Sequence, residues 1–295
     1  MKTEQNAKPH PVTGIDHIMY LVGDLEAAAK RFETLGFTLS PRGVHSPHMG
    51  SANYTMVFPE DYLELLGILA ETPQNVDKRA KLSKRGDSMT AIACRIGDAH
   101  AARAALTERG IATTDVLEFS RPLPLPDGGS GMAAFAVTVF DAKEVPRGEM
   151  FMCNHKTRDM VWRPELMKHP NTARAMAGII VASATPTETA TEYARLFAAA
   201  SVAETPNGAT VVTGKNSAAI ICMTPDAVVA RYAPLSSEAI LHGDFAALQI
   251  EVADLAATRS LLNEKGVKFH KTADKNGIFV SPSDAAGNVL EFVAR

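Results

Sequence analysis

Cysteine is scarce in this sequence. The 295 residues include only three, Cys94, Cys153 and Cys222, which lie far apart and form no Cys-x-x-Cys pair. Disulfide-stapled domains are rich in cysteine, and zinc ribbons need closely spaced cysteine pairs. The sequence therefore argues against both, and it favours a reducing compartment. We predict a cytoplasmic protein.

The chain also lacks a surplus of positive charge and a long apolar run. Lysine and arginine total 30 against 33 aspartates and glutamates, so the formal net charge is −3 and no surface for nucleic acid is indicated. No segment approaches the ~20 apolar residues that cross a bilayer, and "MKTEQNAKPHPVTG" contains no secretion signal. These absences favour a small molecule as the partner over nucleic acid or a membrane. We also predict that residues 1–13 form a flexible leader.

A repeated helix pattern is present instead. Three segments begin with aspartate, end with glycine twelve residues later and follow an apolar run. Aspartate can cap a helix by accepting hydrogen bonds from its first amides, and glycine can adopt the left-handed conformation that ends a helix. The three segments start at Asp24, Asp98 and Asp254, and a degenerate fourth copy has Thr185 near the aspartate position.

Short extended segments follow each helix, so each unit reads as β-α-β-β-β. Four units are predicted, at about residues 14–70, 88–160, 176–224 and 243–295. Units this small must pair to close a core. We therefore predict an α+β protein with two tandem domains of curled mixed sheets, 14–163 and 176–295. The Pro-bearing residues 164–175 would link them.

Equivalent positions in the four units differ in chemistry. Only the first unit has a possible ligand in its first strand, because the four aligned residues are His17, Ala91, Gly178 and Ala247. The last strands of the first and fourth units carry Glu64 and Glu291. The second unit ends with Cys153 and His155, which share one strand face, and the third offers only Cys222.

Several segments together carry a family resemblance. The repeated units, "GIDHIMYLVGDLEAAAKRFETLGF", "YLEL" and "GNVLEF" resemble the glyoxalase/bleomycin-resistance/dioxygenase family, the vicinal oxygen chelate superfamily. "FMCNHKTRDMVWRPELMKHPNTA" is similar to its glyoxalase-like branch. In that family paired units form a cup whose metal ligands come from the first and last strands.

The resemblance implies a metal site in the N-terminal domain. His17 and Glu64 match the ligand positions of the first unit, and His155 would supply the last-strand position of the second, with Cys153 as the alternative. Ala91 leaves the fourth position without a ligand. Two imidazoles and a carboxylate suit one divalent ion such as Fe(II), Mn(II), Zn(II), Ni(II) or Co(II). Glu291 would be a relic or a structural hydrogen-bonding group, and the C-terminal domain would be metal-free.

Other polar residues are candidates for binding or proton transfer. His48 could act as an acid or base because imidazole titrates near neutral pH, whereas His45 would lie in a solvent loop. Asn53 could contact the substrate. Arg158 and Arg163 suit a carboxylate, or else ion pairs at the domain junction. Residues 121–131, "RPLPLPDGGSG", read as a long irregular loop.

Three functions remain open from the sequence. The first is a glyoxalase-like metalloenzyme with lyase or isomerase chemistry on a small oxygen-rich substrate, in which Glu64 serves as ligand and base. The second is an Fe(II)-dependent extradiol-type ring-cleaving dioxygenase, although that branch holds its metal in the C-terminal pair. The third is a non-catalytic protein that sequesters a small molecule. The chain could be a monomer or a homodimer.

Overall fold

Two mixed eight-stranded sheets form the framework. The computed structural model describes residues 9–125 and 128–294, and its sheets have the strand orders β2-β3-β4-β1-β5-β8-β7-β6 and β10-β11-β12-β9-β13-β16-β15-β14. Each sheet joins two units through antiparallel first strands, β1 with β5 and β9 with β13. The predicted α+β fold of four β-α-β-β-β units in two tandem domains is confirmed.

The elements have the following bounds. The strands of the first sheet are β1 (Gly14–Val22), β2 (Gly43–Val44), β3 (Ser51–Val57), β4 (Tyr62–Ile68), β5 (Ser88–Arg95), β6 (Leu117–Pro124), β7 (Ser130–Val139) and β8 (Glu149–His155). Those of the second are β9 (Ala173–Ala182), β10 (Ser201–Thr205), β11 (Gly208–Val212), β12 (Ala219–Met223), β13 (Ala247–Val252), β14 (His270–Lys271), β15 (Gly277–Val280) and β16 (Val289–Ala294). The α-helices are α1 (Leu25–Thr34), α2 (Val76–Arg85), α3 (Ala99–Glu108), α4 (Pro186–Ala194), α5 (Pro225–Arg231), α6 (Ser237–Leu241) and α7 (Leu255–Glu264). None of the helices in the described ranges is long and apolar enough to cross a membrane.

The repeated aspartates cap the helices as predicted. The Asp24 side chain accepts a hydrogen bond from the Ala27 amide, and Asp98 and Asp254 begin α3 and α7 in the same way. Gly36, one of the three repeat glycines, has φ of 85° just after α1. The local sequence therefore sets where these helices begin and end.

The predicted leader and linker are more closely packed than the sequence indicated. Residues 1–8 lie outside the described part of the chain, but Val12 is fully buried and its carbonyl accepts a hydrogen bond from the Ala198 amide. In the linker, His169 hydrogen-bonds both the Thr38 amide and the Val57 carbonyl. β9 already begins at Ala173. The Asn171 carbonyl accepts a hydrogen bond from Thr258 of α7, so contacts with both domains hold the linker in place.

The loop predicted over residues 121–131 is wrong for most of its length. Residues 121–124 belong to β6, and residues 130 and 131 begin β7, while 126 and 127 lie outside the described ranges. Pro122 and Pro124 are compatible with β6 because this strand is at the edge of the sheet. An edge strand has a hydrogen-bonded neighbour on one side only, so it tolerates residues that lack an N–H donor.

The two sheets differ in what covers their inner faces. In the C-terminal domain, Val228 and Tyr232 from the segment joining its two units pack on Phe279 and Val289. The corresponding segment of the N-terminal domain contains α2, which buries none of its residues. The N-terminal sheet is covered only in part, by half-buried side chains such as Leu82, and keeps a cavity on its inner face, whereas the C-terminal one is filled by its own chain.

A buried acid joins the two domains. Asp61, in the turn between β3 and β4, is 1% exposed, and its Oδ1 accepts a hydrogen bond from the Met176 amide of β9 at 3.1 Å. Burial raises the pKa of Asp61 to about 8, although this hydrogen bond and the charge of Arg95 oppose the shift.

This acid should make stability depend on pH. The ordinary pKa is 3.8, so between about pH 4 and pH 8 the folded protein holds a proton that the unfolded chain has lost. The free energy of unfolding should therefore fall as pH rises through this window, by up to about 1.4 kcal/mol per pH unit from Asp61. Asp61→Asn should remove that slope and be more stable than the wild type at pH 8, as measured by urea denaturation at several pH values. Asp159→Asn, at an exposed position, is the control, and parallel pH curves for wild type and Asp61→Asn would contradict the prediction.

Candidate metal centre

His17 lies on β1, where a bulge changes the orientation of the chain. The pairing of β1 with β5 shifts register between Ile15 and His17, so that Asp16 is the extra residue. The Oδ1 atom of Asp16 accepts a hydrogen bond from His17 Nδ1 at 2.7 Å. This contact places the proton on Nδ1 and leaves the Nε2 lone pair free, which is the arrangement that metal-binding histidines use.

Glu64 reaches the free nitrogen of His17 from the neighbouring strand β4. The Glu64 Oε2 atom is 3.6 Å from His17 Nε2, and its Oε1 accepts a 2.6 Å hydrogen bond from Asn53 Nδ2. Two donors that each lie about 2.1 Å from one ion are separated by about 3 to 4 Å over common coordination angles. The pair His17 and Glu64 therefore fits a shared divalent ion.

Both residues open into a cavity of about 410 Å³ on the inner face of the N-terminal sheet. Its walls are mainly apolar, and the aromatic ring of Tyr62 stacks on His17 with centroids 4.2 Å apart. The cavity contains buried polar atoms without a hydrogen-bond partner, including Asn53 Oδ1 and Arg121 Nε. Such atoms are uncommon in folded proteins and call for an unseen partner, such as a ligand, an ion or water.

His155 does not occupy the position that the sequence analysis gave it. Met19 in β1 and Ala93 in β5 are equivalent, because each lies two residues after the aligned position, His17 or Ala91. Met19 pairs with Glu64 of β4, and Ala93 pairs with Phe151 of β8. Phe151 is therefore the counterpart of Glu64, and His155 lies four residues further along β8. There its Nε2 donates to Asp16 Oδ1 at 2.9 Å.

A second group of possible donors surrounds the same aspartate. Ligand atoms of Asp16, His17, Cys153 and His155 all lie within 4.8 Å of one another. In this group Asp16 Oδ1 is already bound to both imidazoles. Burial alone would raise the pKa of Asp16, but the charge and hydrogen bond of His155, followed by those of His17, hold it well below the ordinary value.

Comparison with known proteins identifies the family of this chain. A family model described as a glyoxalase-like domain matches residues 15–197, more than half of the chain. The chain belongs to the glyoxalase-like domain family. No curated protein sequence matches it at a significant level.

Solved structures share the fold of this glyoxalase-like protein at low sequence identity. A hypothetical protein from Staphylococcus aureus is 13% identical, with a TM-score of 0.64, and the match covers 95% of this chain and 99% of that one. A mutant of 4-hydroxymandelate synthase from Streptomyces coelicolor is 16% identical, with a TM-score of 0.60 and coverage of 97% and 93%. These similarities support the tandem architecture.

The histidines that follow α1 are arranged differently from the prediction. His48 is exposed and contacts Ser46, so it is not part of the cavity wall. His45 lines the cavity instead, with Nδ1 bonded to Ser51 Oγ at 2.8 Å. Burial lowers the pKa of His45 despite the opposing charge of Glu64, which favours the neutral imidazole. A loop gives no periodic signal for side-chain direction, so the sequence could not separate the two.

The predicted arginines lie outside the cavity. The Arg158 guanidinium lies 3.5 Å over the Trp162 ring, and Arg163 pairs with Glu165 and donates to the Pro124 carbonyl. The arginine that does line the cavity is Arg121, on β6. The sequence prediction treated this segment as a loop because two prolines lie next to Arg121. The strand is nevertheless seen in the alternation of buried residues, Arg121 and Leu123.

Glu291 of this glyoxalase-like chain is the C-terminal counterpart of Glu64. It pairs with Gln249 in the register of β13 with β16. Its carboxylate contacts a guanidinium, whereas that of Glu64 lies beside an imidazole. Arg231 donates to both carboxylate oxygens, at 3.1 and 2.5 Å, and Tyr232 and Gln249 add further bonds. The interpretation of Glu291 as a structural hydrogen-bonding group fits these contacts, which saturate its carboxylate.

Proposed function

We propose that this protein is a metal-dependent enzyme that moves a proton next to a carbonyl group of a small oxygen-rich substrate. The observation that carries the proposal is the 3.6 Å separation of His17 Nε2 and Glu64 Oε2 at the wall of the cavity. When bound there, a divalent ion would act as a Lewis acid toward two neighbouring substrate oxygens. The chemistry is that of a lyase or isomerase.

The surrounding residues have separate roles in this proposal. Asp16 fixes the tautomer and orientation of His17, and Asn53 orients the Glu64 carboxylate through its amide. His155 was predicted as a ligand, and we place it in the network behind His17 because its Nε2 donates a hydrogen bond to Asp16. The group containing Cys153 is less suitable as the ion site because Asp16 Oδ1 already accepts hydrogen bonds from both of its imidazoles.

His45 is the group we assign to proton transfer. It lines the cavity with its Nδ1 held by Ser51, and its Nε2 makes no hydrogen bond within the described ranges. Burial keeps the imidazole neutral, as a base must be before it accepts a proton. Glu64, which the sequence analysis considered as a base, is restrained by Asn53 and by its role beside His17.

Metal analysis provides the first test of the proposal. Protein purified without chelator should contain about one transition ion per chain, lose it to a chelator and regain one equivalent on reloading. Native protein that neither contains nor takes up such an ion would contradict the proposal.

The reaction class can be tested with the metal-loaded protein. Aromatic 2-oxo and 2-hydroxy acids in D2O should exchange the hydrogen next to the carbonyl or carboxyl carbon, as seen by proton NMR, without uptake of oxygen. Oxygen consumption with ring opening of catechols would instead indicate a dioxygenase and overturn the assignment.

A further inference from the structure

Arg121 presents a charged group to the cavity without any partner for it. The residue is 6% exposed, and no other described residue forms a hydrogen bond or ion pair with its guanidinium. Buried arginines are nearly always paired. We propose that Arg121 binds the carboxylate of the substrate, so that the site takes a small aromatic carboxylate. This inference rests on the proposed function for its setting and adds the substrate class.

The guanidinium is held where the two edges of the N-terminal sheet approach each other. Arg121 belongs to the edge strand β6, and its head covers Gly43 of the opposite edge strand β2. A Cβ atom at residue 43 would overlap the Arg121 head and crowd Asn53 Oδ1. Glycine at this position therefore makes the space into which the arginine fits, which limits the motion of the guanidinium before a ligand arrives.

The charge of Arg121 itself favours an anion as its partner. Burial lowers the pKa of Arg121 while the Glu64 charge opposes the shift, and an arginine remains charged at physiological pH. Lys78 and Glu149 also line the cavity with opposite charges, and Glu149 is paired with Lys81. A carboxylate would accept two parallel hydrogen bonds from the planar guanidinium, while Glu64 stays committed to Asn53 and His17.

The rest of the cavity suits an aromatic group. Phe119 and Phe135 stack with centroids 5.2 Å apart and line the wall together with Phe151 and Leu66. A cavity of about 410 Å³ with apolar walls and few convergent polar groups matches a small ligand. A ligand whose aromatic ring packs against this wall would direct its carboxylate toward Arg121. A neighbouring oxygen of the ligand would then face His17 and Glu64.

Matched acids and amides test the carboxylate assignment. Phenylacetate and 3-phenylpropanoate, with phenylacetamide and 3-phenylpropanamide as neutral isosteres, are titrated into the metal-loaded protein by calorimetry. At least one acid should bind about 10-fold or more tightly than its amide, because a charge-assisted pair is lost in the amide. Arg121→Gln should remove that preference, and Arg103→Gln, at an exposed ion pair with Asp115, should preserve it.

The variant Gly43→Ala tests whether acid binding depends on the position of the Arg121 guanidinium and not on its charge alone. The added methyl group should displace the flexible Arg121 head and weaken acid binding about as much as Arg121→Gln, although the arginine is retained. Metal content is measured for each variant, because Asn53 also lies near the new methyl group. Retained metal with lost acid preference supports the assignment.

Three results would overturn the inference. They are equal affinity of the wild type for acids and amides, unchanged acid affinity in Arg121→Gln, and a lower melting temperature in both Arg121→Gln and Arg121→Met, which would make the arginine structural. A wild type that discriminates acids through Arg121 but holds no metal would instead refute the proposed function alone.

Discussion

Replacement of His17 by alanine is expected to abolish metal binding, with a loss of affinity of more than about 100-fold. His17 supplies the imidazole nitrogen nearest to the Glu64 carboxylate that we assign to the ion, with its Nε2 3.6 Å from Oε2. Changes to groups that only orient metal ligands already cost about 10- to 100-fold in affinity. Metal content after dialysis and competition with a chromophoric chelator measure the effect.

Substitutions of residues near His17 are expected to reduce metal affinity by different amounts. Glu64→Gln should approach the His17→Ala effect, while Asp16→Asn should fall in the 10- to 100-fold range because it alters a group that contacts only the imidazoles. Cys153→Ala should retain the metal. The reverse pattern, with metal lost in Cys153→Ala and kept in Glu64→Gln, would place the ion in the buried group around Asp16 and refute the proposed site.

The part of this site that could be predicted is the part fixed by strand alternation. Glu64 and Asn53 lie on strands paired without a break in register, and His17 lies just beyond the bulge of β1, so the faces of all three follow from a two-residue period. Asp16 could not be found in this way, because strict alternation puts it on the opposite face from His17 and only the bulge brings the two together. His155 was assigned from strand parity and the family resemblance, and parity gives the face of a strand but not the register along it.

The fold was more predictable than the site because its signals are local. Capping aspartates, terminal glycines and apolar runs each act over a short stretch of chain, and all three recur in three of the four units. Arg121 is different, since its role depends on two sheet edges meeting and on Gly43 leaving space. Contacts between residues distant along the chain leave no periodic trace in one sequence.

The filled C-terminal domain leads to the second large effect, on stability. Replacing Arg231 with leucine is expected to lower the free energy of unfolding by about 3–5 kcal/mol, because Glu291 would remain buried without its cationic partner. Glu291 is fully buried and accepts two bonds from this guanidinium. Urea denaturation measures the loss, and Arg42→Leu, at an exposed ion pair with Glu26, should change stability by less than about 1 kcal/mol.

The double variant Arg231→Leu/Glu291→Leu shows why the loss should arise from an uncompensated charge. Removing both members of a buried pair costs far less than removing one, so the double variant should recover much of the stability lost by Arg231→Leu. Metal content should stay at the wild-type level in both, since the site lies in the other domain. Stability that falls further in the double variant would mean that the packing of α5 on the sheet, not the buried charge pair, is what Arg231 maintains.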